Sequence, residues 1–231
     1  MGGQVRLLQP RRGYRVAIDA VLLAAAVHPM AGDRVLDLGA GVGAVGLCLA
    51  RRVPDCTVLG IELQPALAEL AERNVMRNGL SGRVRTIVHD IGQPLPRDLR
   101  LYDQVCTNPP YLPARAADPP PDPSKALATI ESSANLARWL EVAAGVLKPA
   151  GILTLIHRED RLKEILSQLV ALGCANIAIK RLLPANRVLV RARHGEERTI
   201  VDAPPLELHR PDGGYTEATE AILRHGAPLD F

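Results

Sequence analysis

Residues 35–47, VLDLGAGVGAVGL, decide how the rest of the chain is read. Arg34–Leu38 is a short apolar run, the pattern of a strand buried within a sheet. Gly39, Gly41 and Gly43 follow at alternate positions. They allow a sharp turn with positive φ and bring the backbone close to a ligand, Ala40 with it. A helix from near Gly43 to Arg51 aims its free N-terminal amides at the same point. In an open α/β sheet, ligands sit outside the carboxyl ends of the strands, where such turns lie.

The spacing Gly41-x-Gly43-x-x-Gly46 also fits a dinucleotide fingerprint. The charges argue against that fit. Asp37 stands at the mouth of the turn, and no Lys or Arg occurs between Val35 and Leu47. A pyrophosphate would meet repulsion there. S-adenosylmethionine has no phosphate, and its sulfonium and ammonium groups suit an acidic pocket. The charges therefore favour that cofactor over a dinucleotide.

Working outward, apolar segments alternate between strand and helix patterns. Strands are expected at Thr57–Glu62, Arg83–Val88, Tyr102–Thr107 and Ile152–Ile156. Helices are expected at Ala66–Asn78, Lys125–Leu147 and Glu159–Leu172. Asn176–Leu183 and Arg187–Arg193, joined by Pro184-Ala185-Asn186, read as an antiparallel hairpin, because that link is too short for a crossover. The alternation predicts an α/β, Rossmann-like fold: a mostly parallel seven-stranded sheet, a terminal antiparallel hairpin and helices on both faces. Ahead of it, Asp19 is placed to cap a helix through the apolar run Ala20–Val27. The proline-rich stretch from Pro113 to Ser124 reads as a functional loop or lid. The 231 residues suit one domain, with a lead-in (1–33), a core (34–194) and a C-terminal tail (195–231) packed on the core.

Composition narrows the class. Hydrophobic residues make up 47% and aromatics only 3%, so Ala, Val, Leu and Ile must fill the core. The net charge of +3 is mild, with Arg outnumbering Lys. Cys48, Cys56, Cys106 and Cys174 show no metal spacing and read as reduced cysteines of a cytoplasmic protein. No signal peptide, membrane span or metal site is expected. Nothing in the motifs specifies an oligomeric state.

Asp37, Glu62, Asp90 and Asn108 each end one of four successive strands, so a parallel sheet brings them to one edge. Glu62 suits the two hydroxyls of a ribose. Asp90 suits an adenine amino group. Asn108-Pro109-Pro110-Tyr111 suits chemistry at an exocyclic amino nitrogen, whose lone pair is delocalised. The Asn108 oxygen and the Pro109 carbonyl can accept its two hydrogens and favour a pyramidal nitrogen. The prolines stiffen the turn, and Tyr111 offers a face for stacking. Such a site works by alignment and electrostatics. His89 and His157 have no partner visible in sequence and read as incidental.

With DLGAGVG, IEL and NPPY in that order, the chain resembles class I S-adenosylmethionine-dependent methyltransferases with amino acceptors. The lead-in 13–23 (GYRVAIDAVLL) and the ending Pro205-Leu206 … Gly214-Tyr215-Thr216-Glu217 are similar to the bacterial tRNA(Val) adenine-N6 methyltransferase family. That resemblance implies methyl transfer to N6 of the adenine beside the anticodon. It implies a cofactor site formed by Asp37, Gly39, Ala40, Gly41, Gly43, Glu62, Leu63, Asp90, Ile91 and Asn108, and an acceptor site formed by Asn108, Pro109, Pro110 and Tyr111. Val42 departs from the family, which more often has Thr or another small polar residue there. A tRNA partner fits Arg11, Arg12, Arg15 and Arg115, expected beside the pocket with Asp19, and binding through them should weaken with salt. Glutamine-N5 methylation of a protein, guanine-N2 methylation of rRNA, adenine-N6 methylation of DNA and a non-catalytic RNA-binding role remain the alternatives. The 34 residues before Val35 leave little room for the helical substrate domain expected of a glutamine methyltransferase.

Overall fold

The fold follows from where the apolar runs are buried. In the computed structural model, which describes residues 1–99, 101–113, 121–195 and 199–231, an eight-stranded sheet carries helices on both faces. The strands are β1 (Arg34–Leu38), β2 (Thr57–Glu62), β3 (Val84–Val88), β4 (Tyr102–Thr107), β5 (Leu147–Arg158), β6 (Cys174–Leu183), β7 (Arg187–His194) and β8 (Ile200–Glu207). Their order is β3-β2-β1-β4-β5-β7-β6-β8. β1 to β5 pair in parallel, whereas β7 runs antiparallel to both β5 and β6. β8 is parallel to β6.

Two expectations are corrected here. The sheet has eight strands, not seven, and the β6–β7 hairpin does not end it. β7 inserts between β5 and β6, and β8 forms the edge. Part of the expected tail thus belongs to the sheet. Pro204 and Pro205 cannot donate to a ladder, but an edge strand tolerates them. The register slips between Lys180 and Leu182, the pairs that bracket them.

The helices are α1 (Ile18–Ala26), α2 (Ala44–Arg52), α3 (Pro65–Arg77), α4 (Pro123–Thr129), α5 (Leu136–Gly145), α6 (Leu162–Ala171) and the short α7 (Glu217–Glu220). The single helix expected at Lys125–Leu147 is two. Asp122 and Asn135 each accept a hydrogen bond from the amide three residues on, so two separate starts are capped. One core cluster packs α1 and α2 with the C-terminal residues Ile222 and Leu229. The other packs α5 and α6 on the opposite face. Asn74 of α3, fully buried, donates to the carbonyls of Leu8 and Val42 and accepts from the Leu8 amide. One amide side chain thus ties the lead-in to the glycine turn.

Among the described residues no helix is long and apolar enough to cross a membrane.

Candidate active site

The carboxyl ends of β1 to β4 open into one cleft enclosing about 1120 Å³, its mouth included. That is ample for a nucleoside-sized ligand. Its walls contain every residue expected at the cofactor and acceptor sites except Gly43. Gly43 lies just behind, as the left-handed N-cap of α2, with φ 82°.

The glycine turn is built for close approach. The Gly39 and Ala40 amides both donate to the Ile61 carbonyl, at 2.8 and 3.0 Å, which ties the turn to β2. Gly39 has φ +77°, and a Cβ there would lie 2.7 Å from the Trp139 ring. Trp139, on α5, also lines the cleft. At Gly41 nothing lies within 4 Å of such a Cβ, so that side of the turn is open to a ligand.

Three acids line this wall. Asp37 is buried, and its Oδ2 has no partner. Burial first, then the charge of Glu62, pushes its carboxyl up to about 7, against opposing bonds from the Cys106 thiol and the Gly46 amide. Glu62 is also buried, which raises its pKa, and its two oxygens accept from the Gly41 and Gln64 amides at 2.8 and 2.9 Å. Each oxygen retains a second lone pair for a hydroxyl donor. Asp90 Oδ1 accepts from the Gly92 amide and from Ser133 Oγ at 2.7 Å. An acidic, glycine-lined wall with an orphaned carboxylate oxygen fits a cationic cofactor such as S-adenosylmethionine. Asp37, Glu62 and Asp90 are the side chains that would hold it.

The acceptor end lies beside this wall. Thr107 Oγ1 donates to the Leu38 carbonyl at 3.0 Å, fastening the end of β4 to the glycine turn. Asn108 follows directly, and its Oδ1 is buried without a partner. Buried acceptors are ordinarily satisfied, so this oxygen is poised for a donor the protein does not supply. Pro109 and Pro110 are buried, and the Pro110 carbonyl accepts from His157 Nε2 at 3.4 Å. Burial and then Arg161 hold His157 down at about 4, so the ring is neutral.

Several placements differ from expectation. Asp19 does not cap α1; that position is Ala17, with no side-chain cap. Asp19 sits inside the first turn, where its Oδ2 accepts from the Tyr111 hydroxyl at 2.7 Å and from Arg187 Nε at 3.3 Å. His157 is not incidental, because it contacts both Pro110 and Tyr111. His89 lines the cleft. Arg187, Ser133 and Trp139 were not expected at the site. Trp139 is the only Trp in the chain, and a lone large aromatic was the one available signal. Arg11, Arg12 and Arg15 are exposed, with Arg15 between the cleft residues Tyr14 and Val16. Arg115 and part of the proline-rich stretch lie outside the described residues. Among the described residues no cluster of three or more His, Cys, Asp or Glu could hold a metal.

Residues 15–173 match the family model for the methyltransferase small domain. The tRNA1(Val) (adenine(37)-N6)-methyltransferase of Porphyromonas gingivalis is 32% identical over 201 residues, spanning 84% of this chain and 72% of that protein. The protein of the same name from Haemophilus influenzae is 27% identical over 219 residues, 93% and 92% of the two chains. Release factor glutamine methyltransferase of Moorella thermoacetica is 34% identical over 161 residues, 67% of this chain and 56% of that one. Among solved structures, a predicted O-methyltransferase from Agrobacterium tumefaciens superposes with a TM-score of 0.74 at 24% identity, covering 91% of this chain and 98% of that one. At that identity the likeness speaks to the fold alone.

Proposed function

Because the chain belongs to the methyltransferase small-domain family, we propose that it methylates N6 of an adenine in tRNA, next to the anticodon. It is an S-adenosylmethionine-dependent N-methyltransferase. The bound cofactor supplies an electrophilic methyl group; the rest is done by the chain's own residues. Asn108 Oδ1 and the Pro109 carbonyl accept the two hydrogens of the amino group. That draws the nitrogen lone pair out of conjugation and holds it in line for attack. Once methylated, the nitrogen is cationic and strongly acidic, and it gives up one proton to water; the two acceptors hold its hydrogens but do not act as bases.

The observation that carries this reading is the buried, unpartnered Oδ1 of Asn108 at the head of a stiff Pro-Pro turn. The names of the relatives from P. gingivalis and H. influenzae support the adenine and the tRNA. A base in a folded RNA must leave its stack to reach such a cleft, and the exposed arginines 11, 12 and 15 suit the flanking phosphates. A second reading, methylation of a glutamine amide, is favoured by the Moorella relative; a planar amide presents the same two hydrogens.

The test is Asn108→Ala. Turnover on tRNA should fall about 100-fold or more, the scale of losing one transition-state hydrogen-bond partner. Full turnover in the variant would overturn the assignment.

A further inference from the structure

Tyr111 lines the cleft, but the groups that hold it do not. Its hydroxyl donates to Asp19 Oδ2 at 2.7 Å. The Arg187 guanidinium carbon stands 4.4 Å from the ring centroid, and Arg187 Nε donates to the same Asp19 oxygen at 3.3 Å. The ring meets His157 edge-on, with centroids 5.2 Å apart at 74°. Four distant parts of the chain converge here: the first turn of α1, the loop after β4, the end of β5 and the first residue of β7.

We propose that the Asp19–Arg187 pair is a positioning device that fixes the ring plane of Tyr111, and through it the placement of the acceptor beside Asn108. This rests on residues 108–111 being the acceptor site. A tyrosine after two prolines has a stiff backbone, so its remaining freedom is in the two side-chain torsions. The hydroxyl bond pins the far end of the ring, and the guanidinium covers one face. A planar acceptor entering the cleft then meets a ring of fixed tilt. A purely space-filling ring would need no hydroxyl, yet this one meets a carboxylate whose side chain is only 14% exposed. The Arg187 side chain is 26% exposed, so the pair is partly shielded from salt. Tyr111 stays protonated and so remains a donor, because burial first and Asp19 second raise its pKa.

The test uses whichever acceptor the wild-type protein methylates. It compares Asp19→Ala, Asp19→Asn, Tyr111→Phe, Tyr111→Ala and the double variant Asp19→Ala/Tyr111→Phe, with cofactor affinity read by calorimetry. Asp19→Ala should lower kcat/KM for the acceptor about tenfold, the scale of a small misplacement, with cofactor affinity within about twofold. Asp19→Asn keeps an acceptor oxygen for the hydroxyl and should recover most of the loss. In the Tyr111→Phe background, Asp19→Ala should cost much less, since the bond it removes is already gone. Arg187→Met should give a several-fold loss in the same parameter, and serves if Asp19→Ala folds poorly. A tenfold loss that persists in the Tyr111→Phe background, or that falls on cofactor affinity, would overturn the inference. If Tyr111→Ala abolishes transfer while Asp19→Ala and Arg187→Met leave it unchanged, only the positioning role fails. If Tyr111→Ala transfers at the wild-type rate, the acceptor-site reading itself fails.

Discussion

A carboxyl held at about 7, as Asp37 is, sits between two states at neutral pH. The sign of the consequence is fixed. Folded Asp37 keeps a proton that the unfolded chain sheds near its ordinary value, so this group's contribution to stability falls as pH rises from about 4 to about 7. Asp37→Asn should flatten that slope in unfolding measured at intervals across the range. A cationic cofactor favours the carboxylate, so binding near pH 6 should release a proton, and affinity should rise with pH through about 7. Calorimetry in buffers of different ionisation enthalpy reads that proton directly; equal heats in all of them would contradict it. At this scale the sequence was legible wherever strand ends dictated position. Asp37, Glu62, Asp90 and Asn108 meet because four parallel strands end together. Asp19 was not legible as a partner of Tyr111. An acid before an apolar run looks the same whether it caps the helix or enters its first turn, and Arg187 arrives from a strand far along the chain.

Among elements, the glycine turn makes a sharper distinction than its sequence does. Gly39 and Gly41 both have positive φ, yet only Gly39 is crowded, since a Cβ on it would fall 2.7 Å from the Trp139 ring. Gly39→Ala should therefore act on the fold, costing about 2–4 kcal/mol through overpacking and a left-handed alanine. Gly41→Ala should cost only about 1 kcal/mol in stability and should fall chiefly on cofactor affinity, since the space beside it is where a ligand would lie. Thermal unfolding and cofactor titration of the two variants separate these effects; a Gly41→Ala protein with unchanged affinity would remove the cofactor from that side of the turn. β1 to β4 were legible because their apolar runs are buried and punctuated by glycine and proline. The edge strand β8 was not, because Pro204-Pro205 reads as a break until the sheet shows that its ladder is needed on one side only. The division between α4 and α5 was missed because the cap at Asn135 lies within one long helix-compatible pattern.

Over the whole molecule, the C-terminal residues close back on α1. The Leu229 amide donates to the Ala25 carbonyl at 2.9 Å, and Arg191 lies 4.5 Å from the Phe231 ring centroid. This packing supports the side of the sheet from which Asp19 reaches Tyr111. The exposed arginines 11, 12 and 15 lie in the lead-in beside the cleft wall at Tyr14 and Val16. Replacing all three with Ala should raise KM for tRNA and reduce the salt dependence of binding, by up to about one unit of slope for each phosphate left without its arginine, while leaving cofactor affinity alone. An unchanged salt slope would place the RNA elsewhere. Sequence made the lining of the cleft legible, because the strand ends fix it; the arginine cluster of the lead-in stands out there too, and the salt slope is what tests it. The most direct measurement is methyl transfer from labelled S-adenosylmethionine to bulk unmodified tRNA, with nucleoside analysis of the product. N6-methyladenosine, mapped to the position beside the anticodon, is the predicted result. Transfer only to a protein extract, recovered as N5-methylglutamine, would contradict it.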